Sequence, residues 1–154
     1  PAAMLLPPDV DKQEAVRRFL AEFGAAPGRP VAHTDPLGET LIVSDELFKD
    51  LAGRWKVKRG RERWMLLLAQ ALREPDEIWY QRVPHLVKGR EVGRRRYLAR
   101  FRVEGEDTPA LAVFETGPDG WLGVTAYQAE AQKNAAELID ASRRGELLWR
   151  RGQG

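Results

Sequence analysis

Arginine side chains are concentrated in the segment Arg94–Arg102, where they make up five of the nine residues. In a β-strand, successive side chains point to opposite faces of the sheet. One face would then carry the core set, which is Tyr97, Ala99, Phe101 and Val103, and the other face would carry Arg96, Leu98, Arg100 and Arg102. Guanidinium groups bind phosphate oxygens in a bidentate manner. The second face therefore predicts an open, basic surface for a phosphate-bearing ligand.

A second segment, 121–127, adds hydrogen-bonding and aromatic groups to this predicted surface. If Leu122, Val124 and Ala126 face the core, the opposite set is Trp121, Gly123, Thr125 and Tyr127. Arginine binds phosphate and aromatic rings stack on bases, so such a face would suit single-stranded RNA. In the alternative interpretation, Trp121 and Tyr127 face a second hydrophobic layer formed by a C-terminal helix.

Another basic cluster precedes the strongest predicted helix, 60–73, and comprises Lys56, Lys58, Arg59 and Arg61. Helix N-termini usually attract acidic residues, because their free N–H groups are positive. Cations that converge with those N–H groups would form an anion site that binds substrate phosphate. The alternative is a solvated basic turn.

Few side chains could transfer protons. His33 has an ordinary pKa suited to acid or base catalysis, although a single histidine is often structural. Glu77 could act as a general base or could be an exposed charge at the end of a strand. Tyr127 could exchange a proton if neighbouring arginines lowered its pKa.

The composition excludes several kinds of chemistry. The chain has no cysteine, two histidines, and no carboxylate cluster at metal-ligand spacing, so we expect neither a metal nor a cofactor. No apolar run approaches the roughly 18 residues of a membrane span. The net charge of +2 conceals an uneven distribution. Residues 54–102 hold 15 Lys and Arg against 5 Asp and Glu, whereas the remaining residues hold 10 against 18.

These residues must be positioned by an α+β fold, with N-terminal helices, a four-stranded antiparallel sheet and a C-terminal helix. Apolar periodicity predicts a helix over 10–23 capped by Asp9, the helix over 60–73, and a last helix over 128–143. The sheet strands are predicted at 77–82, 95–103, 110–115 and 121–127. Short strands at 31–34 and 39–43, a short helix capped by Ser44 and an edge strand at 146–149 complete the expectation.

Several short motifs occur in a characteristic order: Thr34–Gly38, Trp55–Arg61, Pro75–Trp79, Tyr97–Phe101, Thr125–Tyr127 and Arg144–Leu148. Together they resemble the phage-associated branch of the barnase–EndoU–colicin–RelE-like nuclease superfamily. Its domains occur at the C-termini of Mu-like phage head morphogenesis proteins and in bacterial toxins. The resemblance covers roughly residues 30–150. We therefore expect residues 1–30 to form an N-terminal helix and linker and residues 31–154 to form the nuclease-like domain.

The resemblance implies metal-independent cleavage of RNA, with tRNA as a candidate, in which the 2′-hydroxyl attacks the adjacent phosphate and leaves a 2′,3′-cyclic phosphate. It places Arg100, Thr125, Tyr127 and Glu77 at family catalytic positions, and Lys58 and Arg61 at basic ones. Lys56, Arg59, Arg96 and Trp121 are added as substrate-binding candidates, and His33 as a catalytic one. The implied setting is the bacterial cytoplasm, reached from a phage head protein or a delivered toxin, with an acidic immunity protein as partner.

Two other functions fit the same residues. The domain could be a non-catalytic module that binds nucleic acid or protein within a phage head protein, or a structural virion domain whose basic patch contacts packaged DNA. The distinguishing feature is whether His33 or Glu77 lies near the Arg100 and Thr125 face.

Overall fold

The computed structural model of the protein describes residues 5–49, 52–55, 62–85, 89–103, 106–117, 120–128, 136, 139–140 and 143–152. Within these ranges, the chain has an α+β fold. Its helices are α1 (Lys12–Ala21) and α2 (Met65–Arg73), with short 3-10 helices at Asp45–Phe48 and Glu62–Trp64. Its strands are β1 (Val31–Thr34), β2 (Thr40–Val43), β3 (Glu77–His85), β4 (Arg90–Val103), β5 (Glu106–Gly117), β6 (Gly120–Gln128) and β7 (Glu146–Arg150).

The strands form one sheet in the order β1-β2-β6-β5-β4-β3-β7. The antiparallel meander β3-β4-β5-β6 confirms the predicted four strands, although the observed strands are longer. The sheet is nevertheless larger than the four-stranded prediction, because β2 adds to β6 in parallel and β7 adds to β3. The edge strand at 146–149 is confirmed. No helix in the described ranges has the length and apolar character needed to cross a membrane.

The main hydrophobic core lies between the helices and one face of the sheet, which we call the inner face. Tyr97, Ala99 and Phe101 of β4 are buried there, as the alternation predicted. Helix α1 contributes Val16, Phe19 and other residues to this same core. The division of the chain at residue 30 stays a prediction, and the two parts share the core.

Helix α1 begins two residues later than predicted. The side chain of Asp11, rather than that of Asp9, caps it by accepting a 2.7 Å hydrogen bond from the Glu14 amide. Val16, Phe19 and Leu20 of the predicted apolar face are buried, whereas Phe23 lies beyond the helix and is half-buried. Both aspartates are good N-cap residues, so their type alone could not distinguish them.

Helix α2 is shorter than the predicted span of 60–73. The α-helix begins at Met65, after the 3-10 helix, and ends before Pro75. Seven of its nine residues are buried, including Met65, Leu66 and Ala69, which lie outside the predicted stripe of Trp64, Leu67, Leu68, Ala71 and Leu72. Most of the surface of α2 is therefore covered, because both α1 and the sheet pack against it.

Most of the helix predicted over 128–143 lies outside the described residues. Ala136, Ile139 and Asp140, which are described, have helical backbone. The amide of Arg143 donates to the carbonyl of Ile139 at 3.1 Å, which is the i to i−4 pattern of an α-helix. The helix as a whole stays a prediction.

Candidate functional site

The outer face of β4, opposite the helices, carries the alternating arginines. Arg100 and Arg102 are exposed there, while Arg96 is half-buried and its Nη1 donates to Oε1 of Gln81 at 3.0 Å. Leu98, between them, is fully buried although it lies outside the main core cluster. The expectation of a uniformly open face is therefore wrong at Leu98, where the outer face is covered.

Glu77, the first residue of β3, pairs with Leu98 in the sheet register and lies on the same outer face. Its side chain is only 7% exposed and accepts two hydrogen bonds from Arg143, from Nε at 2.9 Å and from Nη2 at 2.6 Å. Trp79 Nε1 donates a further bond to Oε1 at 2.8 Å. The expectation of an exposed charge at a strand end is therefore wrong, since this carboxylate is buried and paired.

The pKa of Glu77 reflects opposing influences. Burial acts to raise it, but the hydrogen bonds from Arg143 and Trp79, together with the positive charges of Arg143 and Arg150, lower the pKa below its ordinary value. A carboxylate with a lowered pKa stays ionised at neutral pH and is a weak proton acceptor. In this arrangement Glu77 is better suited to holding an arginine than to removing a proton.

Asp76, the preceding residue, organises two more arginines. Its Oδ2 accepts a 2.7 Å hydrogen bond from the backbone amide of Arg100, and its Oδ1 accepts one from Arg151 Nε at 2.9 Å. Asp76 and Glu77 thus connect the start of β3 to β4 and to both ends of β7. These two adjacent carboxylates therefore hold the backbone amide of Arg100 and the side chains of Arg143 and Arg151.

Strand register relates the polar pair of β6 to this face. Thr125 pairs with Val113, which pairs with Arg96, while Tyr127 lies in the row of Leu98 and Glu77 through Leu111. The predicted sharing of one open face by Thr125, Tyr127, Arg96 and Arg100 stays a prediction.

The backbone register changes between Thr125 and Trp121. The register shifts between Val113 and Phe114, and beyond this bulge Trp121 pairs with Thr116 on β5 and with Leu41 on β2. A bulge adds one residue to a strand and reverses the alternation beyond it. The register shift offsets Trp121 from the rows that contain Thr125 and Tyr127, and its place among the substrate-binding residues stays a prediction.

His33 lies on the helix side of the sheet. Its Nε2 is 3.2 Å from the carbonyl oxygen of Leu72, and its ring packs edge-on against Phe23 at 5.2 Å. A carbonyl only accepts, so Nε2 carries the proton in this contact. Glu77 shares the outer face with Arg100, whereas His33 contacts the C-terminal end of α2.

The basic cluster Lys56, Lys58, Arg59 and Arg61 lies outside the described residues. The α-helix that follows begins only at Met65 and has no side-chain cap at Trp64. We predicted that these cations adjoin the N-terminus of a helix that begins at residue 60, and this prediction is wrong about where the helix begins. Among the described residues, no group of three or more His, Asp or Glu side chains is arranged to hold a metal ion.

A buried polar cluster on the inner face was not anticipated. Asp35, in the turn between β1 and β2, accepts hydrogen bonds from the hydroxyl of Tyr97 at 2.7 Å and from Arg95 Nη1 at 3.1 Å. Burial, followed by the hydrogen bond and charge of Asp35, raises the pKa of Tyr97 far above its ordinary value. The only sequence signal was the Asp-Pro-Leu-Gly turn, which gives Asp35 a local role and no distant partner.

The family relationship follows from comparison with known domains. A family model described as phage-Barnase-EndoU-ColicinE5/D-RelE like nuclease2 matches residues 18–150. The chain belongs to this nuclease family. The match spans all seven strands. It also includes Arg100 and Arg143, which hydrogen-bond to Asp76 and Glu77 respectively. No curated protein and no solved structure matches the chain.

Proposed function

We propose that this protein is a metal-independent endoribonuclease that cleaves RNA, with tRNA as a candidate substrate. The observation that carries the proposal is the outer face of β4, where Arg100 and Arg102 are exposed in a fold of the nuclease family. Residues two apart on a strand are separated by about 7 Å, so these guanidinium groups can contact neighbouring backbone phosphates.

The reaction is an internal transesterification. The ribose 2′-oxygen gives up its proton to a base and forms a bond to phosphorus, while the bond from phosphorus to the 5′-oxygen breaks and that oxygen receives a proton from an acid. The products are a 2′,3′-cyclic phosphate and a free 5′-hydroxyl. Extra negative charge develops on the phosphate oxygens in the transition state, where fixed cations lower the barrier.

Arg100 is assigned to this transition-state charge, and Thr125 to a hydrogen bond with a phosphate oxygen. Tyr127 and Glu77 lie in one cross-strand row, separated by three strand spacings of about 4.8 Å each. We assign no step to His33, because its Nε2 contacts Leu72 on the helix side.

The first experiment measures cleavage of total bacterial tRNA and rRNA in EDTA by wild type and Arg100→Ala. Arg17→Ala is the matched control, since Arg17 is an exposed arginine on α1. We expect wild type and Arg17→Ala to cleave equally, and Arg100→Ala to lose about 100-fold in kcat/KM. Intact RNA with wild type, accompanied by normal salt-dependent binding, would overturn the enzymatic proposal in favour of a non-catalytic binding module.

The second experiment tests the chemistry. Product 3′ ends should resist alkaline phosphatase until acid opens the cyclic phosphate. An oligonucleotide with 2′-deoxyribose at the cleavage position should remain intact. Cleavage of that oligonucleotide would show that the 2′-hydroxyl is not the nucleophile.

The biological setting follows as a further part of the proposal. An RNA-cleaving domain would act in the bacterial cytoplasm, whether it arrives with a phage head protein or as a delivered toxin. A host that makes it would need protection, for which an acidic immunity protein covering the outer-face arginines is the electrostatic complement. Expression in bacteria should halt growth for wild type and spare cells that express Arg100→Ala.

A further inference from the structure

We propose that Arg143 is a phosphate-binding residue of this site and that Glu77 is the positioning residue that holds it there. This inference rests on the proposed ribonuclease function and deepens it. The sequence did not single out Arg143, because it lies 66 residues from Glu77 along the chain.

The geometry of the pair leaves one edge of the guanidinium for a ligand. Arg143 binds Glu77 side-on, through Nε and Nη2. Nη1 and the second hydrogen of Nη2 form the end-on edge, which this pair does not use. The carboxylate is 7% exposed whereas the Arg143 side chain is 36% exposed, so the pair is buried on its acidic side and accessible on its basic side.

The arginine is also restrained before any ligand binds. Trp79 Nε1 holds the same carboxylate, and the Arg143 backbone amide donates to Ile139. A free arginine side chain must be immobilised when it binds a phosphate, whereas a side chain held in a bidentate pair is already oriented. A buried carboxylate that positions a cation is thus a plausible device for transition-state binding.

Arg143 and Arg100 converge on the same part of the outer face. Glu77 pairs in register with Leu98, two residues before Arg100, and the adjacent Asp76 accepts the Arg100 backbone amide. Residues two apart on β4 are separated by about 7 Å. The backbone of Arg100 and the side chain of Arg143 are therefore held by consecutive residues, Asp76 and Glu77, so the two guanidinium groups can contact one phosphodiester or two successive ones.

Two other roles for the pair give different results when tested. If Glu77 is the general base, its carboxylate must leave Arg143 and accept a proton itself. If the pair serves only to attach the C-terminal segment to the sheet, removing it should lower stability without a specific effect on RNA. A double-mutant cycle separates these possibilities from the positioning role.

The experiment measures kcat and KM on total bacterial tRNA in EDTA for Arg143→Ala, Arg143→Lys, Glu77→Gln and the double variant Glu77→Gln/Arg143→Ala. Arg144→Ala is the control, because it removes a neighbouring exposed arginine from the same segment. We expect Arg143→Ala to lose about 100-fold in kcat/KM, and Arg143→Lys to recover only part of it because the planar fork is lost. Glu77→Gln should reduce activity on its own and have no further effect once Arg143 is absent.

The outcomes separate this inference from the proposed function. Wild-type cleavage with an unimpaired Arg143→Ala variant would overturn the inference and leave the ribonuclease proposal intact. A further loss of kcat from Glu77→Gln in the Arg143→Ala background would show that Glu77 acts directly. If wild type fails to cleave RNA, the proposed function fails, and salt-dependent RNA binding still decides the inference. Arg143→Ala should then reduce the slope of log RNA affinity against log salt concentration by about one relative to Arg144→Ala. Equal slopes for the two variants would overturn the inference.

Thermal unfolding of every variant checks folding. If Arg143→Ala does not fold, Arg143→Lys tests the inference in its place, because it retains the charge of the pair. Full activity of Arg143→Lys would show that charge alone suffices and would overturn the role of the fork.

Discussion

The hydroxyl of Tyr97 donates a 2.7 Å hydrogen bond to Oδ2 of Asp35 and joins the β1–β2 turn to β4 across 62 residues of chain. The other oxygen of Asp35 accepts the amides of Leu37 and Glu39, each at 2.9 Å. Asp35 thus shapes its own turn with one oxygen and attaches that turn to the sheet with the other. Since the Asp35 side chain is fully buried, losing any of these bonds leaves polar groups without water.

Removing the Tyr97 hydroxyl should destabilise the fold moderately. We expect Tyr97→Phe to lower the free energy of unfolding by about 1.5–3 kcal/mol, the range for hydrogen bonds to charged groups. Asp35→Ala should cost more, about 3–5 kcal/mol, because it also removes the fully buried carboxylate that pairs with Arg95. Urea unfolding at pH 7 measures both. Equal midpoints for Tyr97→Phe and wild type would contradict the importance of this bond.

The Glu77–Arg143 pair should make stability depend on pH. The pKa of Glu77 is lowered in the folded protein, so the unfolded chain binds the proton more tightly. The resulting stabilisation is present above the ordinary carboxyl pKa, 4.5, and is lost as the pH falls through the lower folded value. Glu77→Gln should therefore be less stable than wild type at pH 7, and the gap should narrow below that ordinary pKa.

Urea unfolding measures this difference in the free energy of unfolding between wild type and Glu77→Gln. The measurement runs from pH 7 to pH 3 in steps of roughly half a pH unit. Glu46→Gln is the control, because Glu46 is an exposed carboxylate on a 3-10 helix. A wild-type to Glu77→Gln difference that stays constant over the whole range would contradict the lowered pKa.

Local patterns predicted the elements well, because the burial of one face repeats every second residue in a strand and every third or fourth in a helix. The inner face of β4 and the edge strand β7 followed from such patterns. The burial of Leu98 did not, since its alternation places it among arginines and only the tertiary structure covers it. The register shift near Trp121 did not follow either, because a bulge changes the register without altering the local composition.

The candidate site was predictable only in part, for a related reason. Arg100, Thr125 and Tyr127 belong to strands that the alternation predicts, so their strands could be inferred. The partner of Glu77 comes from a segment 66 residues away, and no local pattern connects the two. Asp35 and Tyr97 are similarly distant. Long-range polar pairs depend on chain packing, which a single sequence does not display.

Gly145 should be intolerant of a side chain. Its φ is +81°, and an added Cβ would overlap the carbonyl oxygen of Tyr80. Gly145→Ala should therefore cost more than the roughly 1–2 kcal/mol of a left-handed alanine. Because Gly145 lies between Arg143 and β7, the variant should also impair RNA cleavage. The measurements are urea unfolding and the tRNA assay in EDTA.

Gly24→Ala provides the matched control for this prediction. Gly24 also has a positive φ, +74°, but an added Cβ would meet nothing within 4 Å. The difference in unfolding free energy between the two variants then isolates the overlap with Tyr80. If both variants lose the same free energy of unfolding, the overlap with Tyr80 does not matter, and the positive φ accounts for the whole effect.

The outer-face arginines should set the salt dependence of RNA binding. Each phosphate contact releases condensed counterions, so the slope of log affinity against log salt reports the number of contacts. Arg100→Ala and Arg102→Ala should each reduce that slope by about one, and the double variant by about two. Arg18→Ala removes an exposed arginine from α1 and should leave the slope unchanged. Titration of fluorescent RNA over a series of salt concentrations measures the slopes, and equal slopes for all four variants would place the RNA on another surface.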